Sequence, residues 1–77
     1  MPRAPRVTAS QLIRVLQQTG FTRVRVRGSH WVFRHPAGNR RVVVPFHRSR
    51  VIPPGTLANI LREANLTTDE LGRLLER

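Results

Sequence analysis

Apolar residues near the start of the chain recur at the spacing of one helix face. The stripe consists of Leu12, Ile13, Val15 and Leu16. A capping box precedes it, because the Thr8 hydroxyl can accept from the Gln11 amide while the Gln11 side chain returns to the Thr8 backbone. Gly20 can supply the left-handed residue that ends such a helix. The pattern predicts a first helix over residues 9–19.

The period then changes to the alternation of apolar and polar residues that is typical of strands. Three alternating segments follow, over residues 21–27, 30–35 and 41–44. Gly28 and Ser29 can turn the chain between the first two segments, and the Pro-Ala-Gly-Asn sequence of residues 36–39 has strong turn chemistry. Three strands joined by short turns predict an antiparallel meander.

Alternation also assigns the side chains to the two faces of the predicted sheet. In the first strand, alternation predicts that the guanidinium groups of Arg23, Arg25 and Arg27 lie on one face of the sheet. Val24 and Val26 face the other way. In the second strand, Trp31 and Phe33 fall on the core side and His30 on the open side. The aromatic rings could instead stack on bases, and the arginines could either contact RNA or only keep the open face soluble, but alternation favours a core role for the aromatics.

Two further helices are predicted after the third strand. Pro54 is tolerated in a first helical turn, and an apolar face follows. That face consists of Leu57, Ile60, Leu61 and Ala64. Asn65 is a suitable left-handed stop, after which Thr67 and Glu70 form a second capping box. A third helix is therefore predicted at the end of the chain.

The predicted order is α-β-β-β-α with an extra C-terminal helix. The first two helices can cover a single face of the sheet, which leaves the other face and its arginines open. This α+β arrangement, a three-stranded antiparallel sheet with helices on one face, is the architecture of double-stranded-RNA-binding domains. Such a fold does not by itself assign a function.

Composition narrows the class of protein. A chain of 77 residues without cysteine has room for one domain, residues 1–77, which neither a disulfide nor a thiolate metal site can reinforce. Residues 1–6, which contain proline and arginine, are predicted to be a flexible leader, and they lack the apolar core of a secretory signal. The longest apolar run, residues 42–46, is too short to span a bilayer. We therefore expect a cytoplasmic protein that does not associate with a membrane.

Charge is distributed unevenly along the chain. The net charge is +10, from 14 basic residues that are all arginine and 4 acidic residues that lie at or after Glu63. A protein with this excess of positive charge binds polyanions favourably, because binding releases the counterions of the polyanion. Guanidinium groups suit phosphate because they are planar bidentate donors. A membrane surface is a second anionic candidate, but no predicted helix combines an aromatic-anchored apolar face with a basic face. Nucleic acid is the favoured partner, and a merely solvated basic surface is the alternative.

Several short blocks of sequence occur in a fixed order at compatible spacing. They are Gly20-Phe21, Arg27-Gly28-Ser29-His30, Val44-Pro45-Phe46-His47, and Pro54-Gly55-Thr56-Leu57 with Ile60-Leu61. Together they resemble the HicA toxins of bacterial toxin–antitoxin pairs, from about residue 7 to residue 75. The ordered combination is far more specific than the Gly-Ser-His triplet alone.

The resemblance implies a small ribonuclease with a double-stranded-RNA-binding-like fold. It implies cleavage of single-stranded messenger RNA without a cofactor, and neutralisation by a HicB-type antitoxin that covers the active site. The catalytic histidine of the family maps to His30. Many members carry a second histidine directly after it, where this chain has Trp31.

Residue chemistry agrees with a reaction at His30. A neutral imidazole can take a proton from a ribose 2′-hydroxyl, and the oxygen can then attack the adjacent phosphorus without a metal. Arginines can stabilise the charge on the phosphate, Gly28 allows close approach of the backbone, and Ser29 can donate to a phosphate. The residues expected to contact RNA are Arg25, Arg27, Gly28, Ser29 and Arg41. The 3 histidines are scattered without nearby carboxylates, which does not predict a metal site.

The other two histidines do not supply an evident general acid. His47 is predicted to be a hydrogen-bonded loop residue, and His35 a turn residue before Pro36. A second class of function is therefore a non-catalytic RNA- or DNA-binding module that uses the same arginine-rich face. A third is an inactive relative that is retained for antitoxin binding.

Overall fold

Helices and strands follow one another in the order that the sequence predicts. The computed structural model describes residues 5–47 and 50–76, so the first four residues of the predicted flexible leader lie outside the described residues. The elements are α1 (Ala9–Gln18), β1 (Thr22–Arg27), β2 (His30–His35), β3 (Arg40–Pro45), α2 (Pro54–Ala64) and α3 (Thr68–Leu75). The strands form an antiparallel sheet in the order β1-β2-β3. The predicted α+β fold class is confirmed, and the order is compatible with a double-stranded-RNA-binding-domain type.

The ends of α1 are fixed by the interactions that its sequence predicts. The Gln11 amide donates to the Thr8 hydroxyl over 3.3 Å, and the Thr8 amide donates to the Gln11 side chain over 2.9 Å. At the other end Gly20 adopts φ +105°, and the Phe21 amide donates to the Leu16 carbonyl over 3.0 Å. These are the two halves of a capping box and the closing bond of a Schellman motif.

The hydrophobic core lies between the helices and one face of the sheet. Helices α1 and α2 pack against β3, and α3 packs against α1. Large side chains of this core with almost no exposed surface are Leu12, Leu16, Phe33, Val42, Val44, Leu57 and Leu71. Trp31 is half-buried and packs against the same cluster, so the prediction that Trp31 and Phe33 face the core is confirmed. Among residues 5–47 and 50–76, no helix is long and apolar enough to cross a membrane.

Strand β1 contains a bulge that the sequence analysis does not predict. Arg23 pairs with Phe33, whereas Arg25 pairs with Val32, so Val24 is an extra residue in β1. Residues that face each other across a strand pair share a face of the sheet. Because Phe33 and Val32 lie on opposite faces of β2, the two arginines also lie on opposite faces.

The prediction that Arg23, Arg25 and Arg27 share one face is therefore wrong for Arg23. Its guanidinium carbon lies 4.9 Å from the centre of the Trp31 ring, on the helix side of the sheet. Arg25 and Arg27 keep the open face. The bulge also turns Val24 to that open face, where 52% of its surface is exposed.

Candidate nucleic-acid interface

The turn between β1 and β2 holds His30 at one corner of the sheet. Arg27 pairs with His30, which leaves Gly28 and Ser29 as the loop. Gly28 adopts φ +60° and Ser29 does not have a positive φ, which is the pattern of a type II′ turn. The Ser29 carbonyl accepts from the Phe46 amide over 2.6 Å. This hydrogen bond joins the β1–β2 turn to the residue that follows β3. His30, the first residue of β2, is exposed beside the turn.

The face of the sheet turned away from the helices collects four guanidinium groups and one imidazole. They belong to Arg25, Arg27, His30, Arg34 and Arg41, and all five residues are exposed. The pairs Arg27–His30 and Arg34–Arg41, together with the alternation of β2, place them on this one face. We call this set the arginine face. It brings together all the side chains from which RNA contact is expected except that of Ser29, which lies in the turn.

Arg34 is a member of the arginine face that the sequence analysis does not include among the RNA contacts. It lines a shallow depression together with Val24, Arg25, Val32 and Arg41. Arg34 lies directly opposite Arg41, and like charges in that position repel each other. One Arg34 nitrogen donates to the Asn39 side chain over 2.9 Å. The acidic residues lie at or after Glu63, in or next to the last two helices, so the sheet itself supplies no carboxylate to offset this repulsion.

His35 is a structural residue on the opposite face from His30. Its Nε2 lies 2.8 Å from the Thr19 carbonyl oxygen, and its Nδ1 accepts from the Ala37 amide over 3.0 Å. Its ring also meets the Phe21 ring edge to face, with 5.1 Å between centres. The prediction that His35 is a turn residue is wrong, because His35 is the last residue of β2 and pairs with Arg40; its bond to the Ala37 amide joins it to the turn that follows.

His47 lies two residues after the end of β3 and is exposed. Its carbonyl accepts from the Arg50 amide over 2.9 Å, and it lies outside any helix or strand. The prediction that it is a loop residue is confirmed. Its backbone lies near the Gly28-Ser29 turn, because the preceding residue donates to the Ser29 carbonyl.

No metal constellation is present in the parts of the chain that the structure describes. Within residues 5–47 and 50–76, no group of three or more histidine, cysteine, aspartate and glutamate side chains could hold an ion. The candidate site therefore consists of the exposed His30 imidazole, the Gly28-Ser29 turn, and guanidinium groups spread over an open face of the sheet. Such a surface can bind a chain of phosphates and can transfer a proton at one end.

One family model matches this sequence. It is described as the HicA toxin of bacterial toxin–antitoxin systems, and it matches residues 9–66 of the 77-residue chain. The match runs from the start of α1 to just beyond α2, and so includes the whole sheet, the Gly28-Ser29 turn and His30. A search of the curated proteins found no match.

Proposed function

This chain belongs to the HicA toxin family of bacterial toxin–antitoxin systems, and on that premise we propose that it is a metal-independent endoribonuclease that cleaves messenger RNA. The observation that carries the proposal is the position of His30, exposed and paired with Arg27 at the edge of the arginine face. The imidazole is the general base, and the guanidinium groups bind the RNA backbone. A messenger RNA substrate places the protein in the cytoplasm.

In the proposed reaction the neutral His30 ring accepts the proton of a ribose 2′-hydroxyl. The 2′-oxygen forms a bond to the adjacent phosphorus while the bond to the 5′-oxygen breaks, and the 5′-oxygen takes up a proton from water or from a general acid. The products are a 2′,3′-cyclic phosphate and a 5′-hydroxyl end. Arg27, as the cross-strand partner of His30, stabilises the charge on the phosphate oxygens. Gly28 keeps side-chain bulk out of the turn, and Ser29 donates to the phosphate.

The rest of the arginine face binds phosphates other than the one that reacts. Arg34 lies four residues along β2 from His30, a distance of roughly 13 Å for an extended strand. At that distance Arg34 and its partner Arg41 are better placed to contact neighbouring phosphates than the reacting phosphate. These residues and Arg25 hold the neighbouring part of the RNA, and an anionic backbone relieves the repulsion between Arg34 and Arg41.

The proposed partner is a HicB-type antitoxin that covers the arginine face. Its contact surface is acidic, because a partner that buries these guanidinium groups must supply complementary charge. Covering the face blocks access of RNA to His30. The purified complex should not cut RNA, and a complex that contains both antitoxin and RNA bound at His30 would contradict this arrangement.

The decisive test is cleavage of a 5′-labelled RNA in the presence of a metal chelator. The unaltered protein should cut it and leave a 2′,3′-cyclic phosphate, whereas His30→Ala should bind the RNA equally well and cut it poorly. A 2′-deoxy nucleotide at the mapped cleavage position should stop cleavage there. Continued cleavage at the 2′-deoxy position would rule out the mechanism.

The second candidate function is a non-catalytic RNA- or DNA-binding module, which the arginine face alone would support. It predicts RNA binding without cleavage and no growth arrest when the protein is expressed. An inactive relative would form a tight antitoxin complex and likewise lack toxicity. Loss of growth arrest in His30→Ala, with RNA binding retained, favours the enzyme over both.

A further inference from the structure

The β2–β3 ladder continues beyond the last residue of β3. His30 pairs with Pro45, and one residue further the Phe46 amide donates to the Ser29 carbonyl over 2.6 Å. The sum of the paired residue numbers stays constant along this ladder, so Phe46 lies opposite Ser29 without a shift in register. The chain therefore remains extended past Pro45.

The direction of the Phe46 side chain fixes the face on which His47 lies. The Phe46 ring stacks on Trp31 with 4.3 Å between centres and 18° between planes, on the helix side of the sheet. Successive side chains of an extended chain point to opposite faces. The chain is still extended at Phe46, so this alternation carries His47 to the face of His30.

His30 and His47 are therefore diagonal neighbours at one corner of the arginine face. Diagonal neighbours in adjacent antiparallel strands have Cα atoms about 7–8 Å apart, which is within mutual reach of aromatic side chains. Gly28 lies at the same corner, and a Cβ atom built on it would meet no other atom within 4 Å. No side chain therefore obstructs the approach of a phosphodiester group to Gly28.

We propose that His47 is a second catalytic residue, the general acid of the cleavage reaction; this inference rests on the proposed ribonuclease activity. As His30 accepts the proton of the 2′-hydroxyl and the 2′-oxygen bonds to phosphorus, the bond from phosphorus to the 5′-oxygen breaks. Protonated His47 gives its proton to that 5′-oxygen. The products are the cyclic phosphate, the 5′-hydroxyl, protonated His30 and neutral His47.

Other side chains are less suited to this role. His35 lies on the opposite face, with both ring nitrogens engaged by Thr19 and Ala37. Guanidinium groups do not release a proton in proteins, so the arginines can bind the phosphate but cannot act as the acid. A protonated imidazole can both donate a hydrogen bond and release its proton to a leaving oxygen, which makes His47 the appropriate donor at this corner.

The test compares two versions of one RNA oligonucleotide that carries a mapped cleavage site. In the first the 5′-oxygen of the scissile bond is natural, and in the second it is replaced by sulfur, which leaves as a thiolate without needing a proton. Single-turnover rate constants are measured for the unaltered chain, His47→Gln, His30→Gln and His35→Gln. Thermal unfolding of each variant is measured alongside, and exposed His47 should tolerate glutamine without loss of stability.

For the natural RNA, His47→Gln should lower the rate constant by about 10²-fold or more, the usual contribution of a positioned acid. For the sulfur-substituted RNA most of that loss should disappear. His30→Gln should remain slow on both RNAs, because the base is still needed. If His35→Gln lowers the rate constant, the decrease should be equal on the two RNAs and should accompany a lower unfolding temperature.

Three outcomes would overturn the proposal. The first is that His47→Gln cuts the natural RNA at the rate of the unaltered chain, and the second is that its rate constant falls equally on both RNAs. If cleavage still depends on His30 in either case, only the role of His47 is wrong. If the unaltered chain cuts neither RNA, the ribonuclease function and the role of His47 are both wrong.

Discussion

The His35 ring closes over Gly20, so that a Cβ atom built on Gly20 would lie 2.6 Å from His35 Nε2. The same nitrogen meets the Thr19 carbonyl oxygen at 2.8 Å, while Nδ1 accepts from the Ala37 amide. The geometry therefore assigns the ring proton to Nε2. One neutral imidazole joins the end of α1 to the turn after β2, and it requires the residue that ends α1 to have no side chain.

Gly20→Ala should destabilise the fold for two reasons. Its φ of +105° is strained for any residue with a Cβ atom, at a cost of about 1–3 kcal/mol, and the added methyl group must displace the His35 ring. Urea denaturation should show a clear loss in the free energy of unfolding. The matched control is Gly72→Ala in α3, where a Cβ meets nothing within 4 Å and alanine should stabilise the helix by about 0.5–1 kcal/mol.

A double-mutant cycle separates these two causes. In a His35→Ala background the ring is absent, so Gly20→Ala should cost less than it does in the unaltered chain, and only the backbone strain should remain. An equal cost in both backgrounds would show that the contact with His35 does not contribute to the requirement for glycine.

Helix ends could be predicted from the sequence because their interactions are local. Thr8 and Thr67 each begin a capping box, and Asn65 ends α2 with φ +59°. Each of these interactions joins residues within a few positions of one another, so both partners are visible in one short segment.

The bulge at Val24 leaves no mark in the sequence. Residues 23–27 alternate without interruption, yet the pairing with β2 shifts between Arg23 and Arg25. Register depends on the partner strand and on the turn, which fixes Arg27 opposite His30. Alternation within a single strand therefore could not place Arg23 beside Trp31.

The candidate site could be predicted in part. Arg34 follows His30 by four residues in an alternating strand, so its place on the arginine face is implied by the pattern. His47 lies beyond Pro45, where alternation alone gives no assurance that the chain stays extended. The bond from Phe46 to Ser29 and the stacking of Phe46 on Trp31 supply that information, and both are long-range contacts.

Acidification should weaken the capping box of α3. Hydrogen bonds from the Thr67 backbone, then from its side chain, hold the pKa of Glu70 below its ordinary value of 4.5, and Arg73 adds to this effect. Because the folded-state pKa is lowered, the contribution to stability is complete above pH 4.5 and is lost as the pH falls through the folded-state value. Glu70→Gln keeps the acceptor without the charge, so its stability relative to the unaltered chain should rise on acidification.

That prediction is checked by urea denaturation between pH 7 and pH 3, together with an NMR titration of the Glu70 carboxyl group. A titration midpoint at or above 4.5 would contradict the proposed cause. So would a difference between the two chains that does not change with pH.

Arg41→Gln should change stability and RNA affinity in opposite directions. In the free protein it removes a charge directly opposite Arg34, so stability at low salt should rise by about 0.2–1 kcal/mol, and the gain should shrink at high salt. RNA affinity should fall, because one guanidinium group fewer meets the backbone. Parallel urea denaturation and RNA titrations at two salt concentrations measure both effects. A loss of stability at low salt would show that the Arg34–Arg41 repulsion is already relieved in the free protein.

The bulge makes Arg23 and Arg25 a matched pair, since they lie two residues apart in β1 but on opposite faces. Arg25→Gln should weaken RNA binding and lower the dependence of log affinity on log salt by about one unit, as expected for a lost phosphate contact. Arg23→Gln should leave that salt dependence unchanged. Instead it should alter the fluorescence of Trp31, the only tryptophan in the chain, because the guanidinium group lies 4.9 Å from its ring. Equal effects of the two variants on RNA binding would mean that both arginines reach the RNA and that the separation of faces at Val24 does not govern recognition.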